Sequence, residues 1–310
     1  MPTRFYQRDS VAILGLGKVG TAVGNLLRSA GYEIVAVAGR SISKLNQGIP
    51  YTGGEAFTDF SAAASKADCI LITTSDDAIA AICSEICQRG AIHPGEKVIH
   101  MSGAGGLDLL SPATKAGASV ASIHPLQSFA SVEGAISSIP GSTFGITADR
   151  EIQGWSEQLV HDLRGNPVTI TEEDKPLYHA AACLASNYLT TLIHTVEALY
   201  QSLGLAPDEA LRAFWPLVRG TMQNIEDNGT VQALTGPISR GDVSTVARHL
   251  TALRESFPAL LPLYCTLGKE TISLGREKKT LNPDKAEIIK KLLEGETEHD
   301  GTENYHSDNS

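Results

Sequence analysis

The sequence predicts a two-domain α/β protein, with a doubly wound, mostly parallel sheet in residues 1–170 and an all-helical domain in residues 171–293. Three observations support this prediction. An apolar run at 11–14 leads through a glycine-rich turn into an amphipathic helix. Short apolar runs then alternate with helical patterns, which is typical of parallel strands that are buried on both faces. From residue 171 onward the only periodic patterns are helical.

The predicted elements of the first domain follow this alternation. Apolar runs predict strands at 11–14, 33–39, 69–74, 97–101, 118–124, 143–147 and 167–170. Helical spacing predicts helices at 18–30, 76–88 and 149–163, with Gly31 placed to end the first.

The second domain is predicted to contain five helices. A long, largely apolar pattern after Thr171 ends at Gly204, and further helices are predicted at 207–227, 243–253, 257–274 and 283–293. Pro216 is a candidate position for a kink, because proline cannot donate a helical hydrogen bond. The last segment, 294–310, is polar and acidic, and we expect it to be a disordered tail.

The glycine-rich turn has the pattern G-x-G-x-x-G. Its residues are Gly15, Leu16, Gly17, Lys18, Val19 and Gly20. Gly15 permits the tight turn, Gly17 lets the backbone approach a pyrophosphate, and Gly20 lets helix and strand pack closely. The helix N-terminus offers free N–H groups to the phosphates. Because the pattern lies between a strand and a helix, it predicts a Rossmann-type dinucleotide site.

The end of the second predicted strand favours NADP(H) over NAD(H). NAD sites usually place a carboxylate there to hold the ribose 2′-hydroxyl. This chain has Arg40 and Ser41 instead. A guanidinium fork and a hydroxyl suit a 2′-phosphate. The alternative interpretation is that Arg40 is a solvated loop charge.

Two later loops also follow predicted strands and are expected to line the cofactor. One contains Thr74 and Ser75, and the other contains Ser102 and Gly103. Small and hydroxyl side chains there permit close approach of a ligand. The favoured interpretation of the acidic pair after Ser75, at 76–77, is a helix cap.

Candidate catalytic residues lie on the first helix of the second domain. His179, Cys183, Ser186 and Asn187 share one face of it. His179 is the best candidate for a proton donor, and Asn187 could orient a substrate carbonyl or the nicotinamide amide. The alternative is that the packing of the helix simply satisfies both side chains.

Three further candidates lie in loops. His124 and Ser128 follow a predicted strand at its carboxyl end, where His124 could bind substrate or only fix the adjoining loop. His100, one strand earlier, is interpreted as structural. Arg240, in the turn 236–242, could clamp a substrate carboxylate, from the other subunit if the protein is a dimer, or could brace the turn by binding backbone carbonyls.

Composition excludes several partners. The formal net charge is −10, and no basic run occurs, so nucleic acid and anionic membranes are not expected partners. The five cysteines have no metal-ligand spacing, and buried, reduced thiols are the favoured interpretation. The first ten residues lack the apolar core of a signal peptide, and no stretch is long enough to span a membrane. We therefore expect a cytoplasmic protein without a metal.

Together these motifs resemble a known family. The chain is similar to bacterial Rossmann-like oxidoreductase candidates that carry a helical C-terminal domain of unknown function. The motifs that carry the similarity are GLGKVG, VAGRS, ITTSDDAI, HMSGAGG, IHPLQSF, HAAACLASNYL and ALTGPISRGD. That family is similar in layout to pyrroline-5-carboxylate reductase, ketopantoate reductase and 6-phosphogluconate dehydrogenase-like enzymes. The resemblance covers residues 1–293. It implies a homodimer built through the helical domain and a site in the cleft between domains.

One difference from these relatives concerns the chemistry. The 3-hydroxyacid dehydrogenases among them have a lysine four residues before the asparagine that Asn187 matches, and here Cys183 occupies that place. We therefore predict an NADP(H)-dependent reductase of a small carbonyl or imine acid, with an anionic substrate. A non-catalytic NADP-binding regulator or scaffold remains the alternative. A third possibility, which no motif selects, replaces the nicotinamide with a deazaflavin partner.

Overall fold

The structure of the protein is a computed structural model. It describes residues 8–299, with side chains described for residues 8–296. Its chain divides into two compact units, one up to His194 and the other from Thr195 onward. The predicted domain limit at residue 170 differs from this division, because the helix that begins at Lys175 continues to His194 within the first unit.

The first unit contains one eight-stranded sheet. Its strands are β1 (Ser10–Leu14), β2 (Glu33–Ala38), β3 (Glu55–Phe57), β4 (Cys69–Ile72), β5 (Lys97–His100), β6 (Ser119–Pro125), β7 (Thr143–Ala148) and β8 (Asn166–Thr169). They lie in the order β3-β2-β1-β4-β5-β6-β7-β8. Every neighbouring pair is parallel except β6 and β7, which pair antiparallel with His124 opposite Gly145. The predicted doubly wound, mostly parallel sheet is confirmed.

Helices cover both faces of this sheet. They are α1 (Lys18–Ser29), α2 (Ile42–Thr52), α3 (Phe60–Ala64), α4 (Asp76–Gln88), α5 (Ser111–Lys115), α6 (Val132–Ser138) and α7 (Gln153–Asp162). The alternation of side chains along each strand divides the apolar residues between two cores. Ile13, Leu71 and Ile99 belong to one core, and Leu14, Ile72 and Val98 belong to the other.

A long helix follows the sheet. It consists of α8 (Lys175–Cys183), a π-helical turn (Leu184–Tyr188) and α9 (Leu189–Ser202). The sequence predicts this helix, but its pattern does not indicate the π turn. A π turn inserts one residue into the α-helical ladder, and such turns occur frequently at functional sites.

The second unit is helical. After the end of α9 it contains α10 (Pro207–Ala233), α11 (Pro237–Arg240), α12 (Val243–Ser256), α13 (Leu261–Glu277) and α14 (Pro283–His299). Apolar side chains of α11 to α14 form its core, among them Val246, Cys265 and Ile289. Within α10 the backbone leaves helical geometry at Gly229, where φ is +76°.

Helix α14 differs from the expected acidic tail. It continues to His299, so the segment expected to be disordered from residue 294 begins as a helix. Two of its carboxylates are paired with cations, Glu294 with Lys290 and Glu296 with Arg254, which lowers the repulsion between them. Residues 300–310 of that segment lie outside the described residues.

No helix within residues 8–299 has both the length and the apolar character that crossing a membrane requires.

The central strand β4 provides a test of the core. Leu71→Ala should lower the free energy of unfolding by about 2–5 kcal/mol, because the leucine is fully buried and its removal leaves a cavity. Leu177→Ala is the matched control, since that leucine is 74% exposed on α8, and it should change stability by less than about 0.5 kcal/mol. Urea unfolding measures both. Equal losses would contradict the assigned core.

Candidate functional site

Four loops lie side by side at one edge of the sheet. Strands β1, β4, β5 and β6 are parallel neighbours, so their carboxyl ends meet at the same edge. The loops that follow them are residues 15–20, 73–76, 102–105 and 124–128. We call this the carboxyl edge. Ligands of open parallel sheets bind outside such an edge.

The glycine loop has an open helix N-terminus. Gly15 has φ +107°, a backbone conformation that favours glycine, and its carbonyl accepts a hydrogen bond from Thr73 Oγ1 at 2.7 Å. Gly17 caps α1 without any side-chain hydrogen bond, and a Cβ added there would meet nothing within 4 Å. A Cβ on Gly20 would instead fall 2.4 Å from the Gly15 carbonyl oxygen. The first turn of α1 therefore presents free N–H groups at an accessible position.

Next to this loop lies a buried hydroxyl group. Thr74 Oγ1 is buried and has no hydrogen-bond partner among the described residues. Its methyl group lies 2.7 Å from the position of a Cβ on Gly15. Ser75 is exposed and caps α4 through its extended backbone, with no side-chain hydrogen bond. Polar atoms of both residues are therefore available beside the glycine loop.

Arg40 lies beyond the end of β2. The carbonyl of Ala38, two residues earlier, accepts the Gly15 N–H at 2.8 Å, which brings the end of β2 to the glycine loop. The Arg40 side chain is exposed, and no residue of the described range 8–299 pairs with its guanidinium. Ser41 has a different environment from the one predicted. Its hydroxyl accepts the Lys44 N–H at 3.5 Å and caps α2.

The loops after β4 and β5 are joined by an acid–hydroxyl contact. Ser102 Oγ donates to Asp76 Oδ2 at 2.8 Å and accepts the Gly105 N–H at 2.9 Å. The helix-cap interpretation of Asp76 is wrong, because Ser75 is the cap of α4 and the Asp76 carboxylate bonds Ser102 instead. Ser102 is 4% exposed, so its position is fixed by these bonds.

His100 is fully buried and holds the same loop. Its Nδ1 accepts the Ser102 N–H at 3.1 Å, and its Nε2 donates to the Gly106 carbonyl at 3.0 Å. Burial lowers the pKa of His100 from 6.5 to about 4. Both ring nitrogens of His100 therefore bond backbone groups, which agrees with the interpretation of this residue as structural.

Gly103 brings two imidazoles to the carboxyl edge. A Cβ at this position would lie 2.7 Å from His179 Cδ2 and 2.8 Å from His124 Nε2 and Cε1. The two rings stand edge to face, with centroids 6.2 Å apart. Burial lowers the pKa of His124 to about 4, and the nearby His179 and Lys175 add to this shift by smaller amounts. The Asp76 carboxylate opposes the shift. His124 is therefore neutral at pH 7.

These imidazoles line a cavity of about 800 Å³, which we call the cavity. It lies wholly within the first unit. The cavity contains every residue of the predicted helical face, His179, Cys183, Ser186 and Asn187, and also Ser128 from the loop after β6. Cys183 Sγ lies 4.0 Å from His179 Nδ1. No Asp, Glu, Lys or Arg is among the described residues that line it.

The π turn lies at the wall of the cavity. Ser186 and Asn187 belong to it, and Cys183 precedes it directly. In an α-helix each residue advances by about 100°, so one inserted residue rotates everything after it relative to α8. Even with this rotation, His179 on α8 and Asn187 on the turn line the same cavity.

Sequence reasoning missed two residues of α8. Tyr178 lines the cavity and bonds His124 Nδ1 through its hydroxyl at 2.9 Å. Lys175 is 2% exposed and donates to Ser122 Oγ at 2.8 Å. Burial lowers the pKa of Lys175, against the attraction of Glu172 and Asp76. Extending the His179 face one turn toward the N-terminus would have found Lys175, whereas Tyr178 lies next to His179 in sequence and off that face.

Arg240 lies in the second unit, exposed at the end of α11. No hydrogen bond joins the Arg240 side chain to a backbone carbonyl within the described residues, so the brace is not observed there. Before the turn, Lys278 Nζ donates to the backbone carbonyls of Gln232 and Leu234 at 2.8 and 2.7 Å. Asp242 caps α12 by accepting the Thr245 N–H, as its position after the turn predicts.

Comparison with protein families identifies both parts of the chain. Residues 4–125 match the Rossmann-like domain, and residues 142–271 match a domain of unknown function, DUF2520. The chain therefore combines a Rossmann-like domain with a C-terminal DUF2520 domain, and the predicted resemblance is confirmed. No curated protein matches the chain in sequence.

Solved structures share the fold at low sequence identity. A candidate NADP oxidoreductase of Bacteroides fragilis, BF3122, is 20% identical with a TM-score of 0.70, over 85% of this chain and 97% of its own. Protein TM1727 of Thermotoga maritima is 23% identical with a TM-score of 0.68, over 87% and 99%. A pyrroline-5-carboxylate reductase of Coxiella burnetii is 16% identical with a TM-score of 0.57, over 89% and 100%.

The buried imidazole of His100 predicts a pH dependence of stability. Between pH 6.5 and about 4 the unfolded chain binds a proton at this residue and the folded chain does not. The free energy of unfolding should therefore fall as the pH falls through that window. His100→Gln should flatten the profile, and His93→Gln, at an exposed histidine, should leave it unchanged. Urea unfolding at fixed pH measures the slopes. A His100→Gln profile as steep as the unaltered protein's would contradict the assignment.

Proposed function

We propose that this protein is an NADPH-dependent oxidoreductase that reduces a small carbonyl or imine compound in the cavity. One observation carries the proposal, the unbroken line of contacts along the carboxyl edge. Thr73 bonds Gly15, Asp76 bonds Ser102, and Gly103 contacts both imidazoles. The glycine loop and the cavity are three strand spacings apart, about 14 Å. A dinucleotide bound at the glycine loop could therefore reach the cavity along this edge.

The residues at the glycine loop fit the pyrophosphate half of such a cofactor. The first turn of α1 has free N–H groups and no acidic residue. Gly17 leaves room for close approach, and the Thr74 hydroxyl is a buried polar group without a protein partner. Oriented N–H groups at a helix N-terminus favour phosphate oxygens.

Arg40 supports a preference for NADPH. Its guanidinium is exposed beside the glycine loop, and no described residue competes for it. A planar fork of N–H groups binds a phosphate through two hydrogen bonds. The Ser41 hydroxyl accepts the Lys44 N–H where it caps α2, and its own hydrogen stays available to donate to the same phosphate.

The cavity residues have roles consistent with reduction. Bound NADPH supplies the hydride. His179 is the proposed proton donor, because it lines the cavity and imidazole is the side chain that most readily exchanges protons near neutral pH. His124 stays neutral and offers a hydrogen bond. Asn187 and Ser128 line the cavity and would orient the substrate.

The predicted substrate anion would be bound by uncharged groups of the cavity. Its lining offers the amides of Gln127 and Asn187 and the hydroxyls of Ser128 and Ser186, but no cationic side chain. Hydrogen-bond donors of this kind can hold a small carboxylate. The clamp assigned to Arg240 stays a prediction.

The predicted homodimer and the cytoplasmic location also stay predictions. In the second unit Leu217 is 70% exposed and Trp215 is 41% exposed, on the helix α10. Exposed apolar groups of this size are typical of surfaces that a partner subunit covers. The five cysteines are free, which is consistent with a reducing compartment.

Cofactor binding is the first test. NADPH should bind with at least about a tenfold preference over NADH, which is about 1.4 kcal/mol. Arg40→Ala should remove most of that preference and leave NADH binding unchanged, whereas Arg150→Ala, at another exposed arginine, should alter neither. Fluorescence titration measures the six affinities, for two nucleotides and three proteins. If the protein bound neither nucleotide, the oxidoreductase proposal would be wrong.

Gly103→Ala tests whether the imidazole pair acts in turnover. The added methyl group would displace both rings, and a misplaced reacting group costs about 10²-fold in rate. We expect that loss in kcat/KM on whichever carbonyl or imine compounds the protein reduces, measured at saturating NADPH. Gly154→Ala is the control, because a Cβ there meets nothing within 4 Å. Equal rates for the two variants would exclude the pair from catalysis. Cofactor binding without any turnover would favour the regulator instead.

A further inference from the structure

Helix α8 is attached to strand β6 by two matched side-chain bonds. Lys175 Nζ donates to Ser122 Oγ at 2.8 Å, and the Tyr178 hydroxyl bonds His124 Nδ1 at 2.9 Å. Residues three apart share a helix face, and residues two apart share a strand face. The two bonds therefore lie side by side, about 7 Å apart along the strand.

The surroundings of Tyr178 determine which nitrogen of His124 carries the hydrogen. The phenol oxygen of Tyr178 has His124 Nδ1 as its hydrogen-bond partner within the described residues. A Cβ on Gly145 would lie 2.7 Å from that oxygen, so glycine permits the approach. Because no other described group accepts the phenol hydrogen, and a phenol donates to an imidazole nitrogen more readily than the reverse, that hydrogen is directed to His124 Nδ1. Nδ1 is then an acceptor, and neutral His124 carries its hydrogen on Nε2.

The Nε2–H group of His124 is available to a ligand. His124 lines the cavity, and no residue in the described part of the chain accepts a hydrogen bond from Nε2. Gly103 lies against it without a side chain that could cover it. The cavity wall therefore presents one uncharged hydrogen-bond donor beside His179.

The charges near this donor oppose a cationic substrate. The Lys175 ammonium is buried behind the cavity wall, bonded to Ser122 two residues before His124. Its carboxylate neighbours, Asp76 and Glu172, are not among the lining residues, and the described lining contains no acid at all. A cation in the cavity would therefore have no counterion in contact with it, which is costly in a partly desolvated site.

We propose that the reducible group of the substrate is the carbonyl of a ketone or aldehyde, held by His124 Nε2–H, and not an iminium ion. This inference rests on the proposed function. A carbonyl oxygen has lone pairs that accept the N–H, whereas an iminium nitrogen has none and carries a positive charge. Tyr178 acts as a positioning residue, because it fixes the nitrogen that donates.

The reaction balances with the groups named. Hydride from NADPH forms a bond to the carbonyl carbon, and the π pair of the C=O bond moves to oxygen. The substrate is reduced by two electrons and NADPH is oxidised to NADP⁺. The developing negative charge on oxygen is stabilised by His124 Nε2–H, and the oxygen then takes a proton from His179. Donors aimed at developing charge are an effective source of rate enhancement.

Nitrogen-15 NMR of histidine-labelled protein tests the donor without any substrate. The His124 ring, assigned by the loss of its signals in His124→Gln, should give the pattern of an Nε2–H tautomer at pH 7. In Tyr178→Phe the pattern should become mixed, and Tyr188→Phe, at a tyrosine that is 62% exposed, should leave it unchanged. An Nδ1–H pattern in the unaltered protein would overturn the inference.

Turnover with NADPH then separates this inference from the function on which it rests. The probes are matched pairs of equal ring size, such as cyclopentanone with 1-pyrroline and cyclohexanone with 2,3,4,5-tetrahydropyridine, together with the corresponding linear aldehydes and 2-keto acids. We expect reduction of carbonyl members only, with kcat/KM about 10- to 100-fold lower in Tyr178→Phe. Preferential reduction of the imines would overturn the inference and leave the reductase intact. No reduction of any probe would overturn the reductase, and this inference with it.

Discussion

The absence of a side chain at position 103 allows the candidate site to form. The loop after β5 passes between the glycine loop and helix α8, and only hydrogen occupies the place where a Cβ would meet both imidazoles. His124 comes from β6 and His179 from α8, so two distant segments reach one point through this gap. The parallel order of β1, β4, β5 and β6 sets the loops in line, and Gly103 lets the loop after β5 contact helix α8.

A second constraint is the attachment of α8 to β6. A lysine that is 2% exposed is costly to bury unless it is bonded, and Lys175 is bonded to Ser122. The same attachment orients Tyr178 against His124. Burial and the neighbouring positive charges keep His124 neutral, so it serves as a donor that does not change its charge near neutral pH. The two imidazoles thus have different environments and are assigned different roles.

The residues of the carboxyl edge divide into those that build it and those that stay available. His100, Ser102 and Asp76 use their polar atoms on one another or on the backbone, and they fix the loop that carries Gly103. Thr74, Arg40 and the first turn of α1 have polar groups without protein partners in the described chain. At the cofactor end, binding energy for a ligand comes more readily from the second group, because the first would have to break existing bonds.

The sequence by itself determined the order and type of most elements. The apolar runs of β1 and β4 and the limits of α4 follow from local patterns, because burial on both faces and capping are local requirements. The glycine loop was also predicted from its local sequence pattern. The short edge strand β3 and helices α2, α3, α5 and α6 were missed. Three residues such as Glu55–Phe57 carry too little pattern, and α2 contains Gly48 and Pro50, which are typical of turns.

The tertiary structure decided which polar side chains meet. The sequence placed His179, Cys183, Ser186 and Asn187 on one face, and it placed His124 and Gly103 in loops, but the contact between them depends on how α8 crosses β6. Asp76 was interpreted as a cap and Lys175 was given no role, and both have partners more than 25 residues away in the chain. Partners that distant leave no local pattern, because only the folded sheet brings them within hydrogen-bond distance.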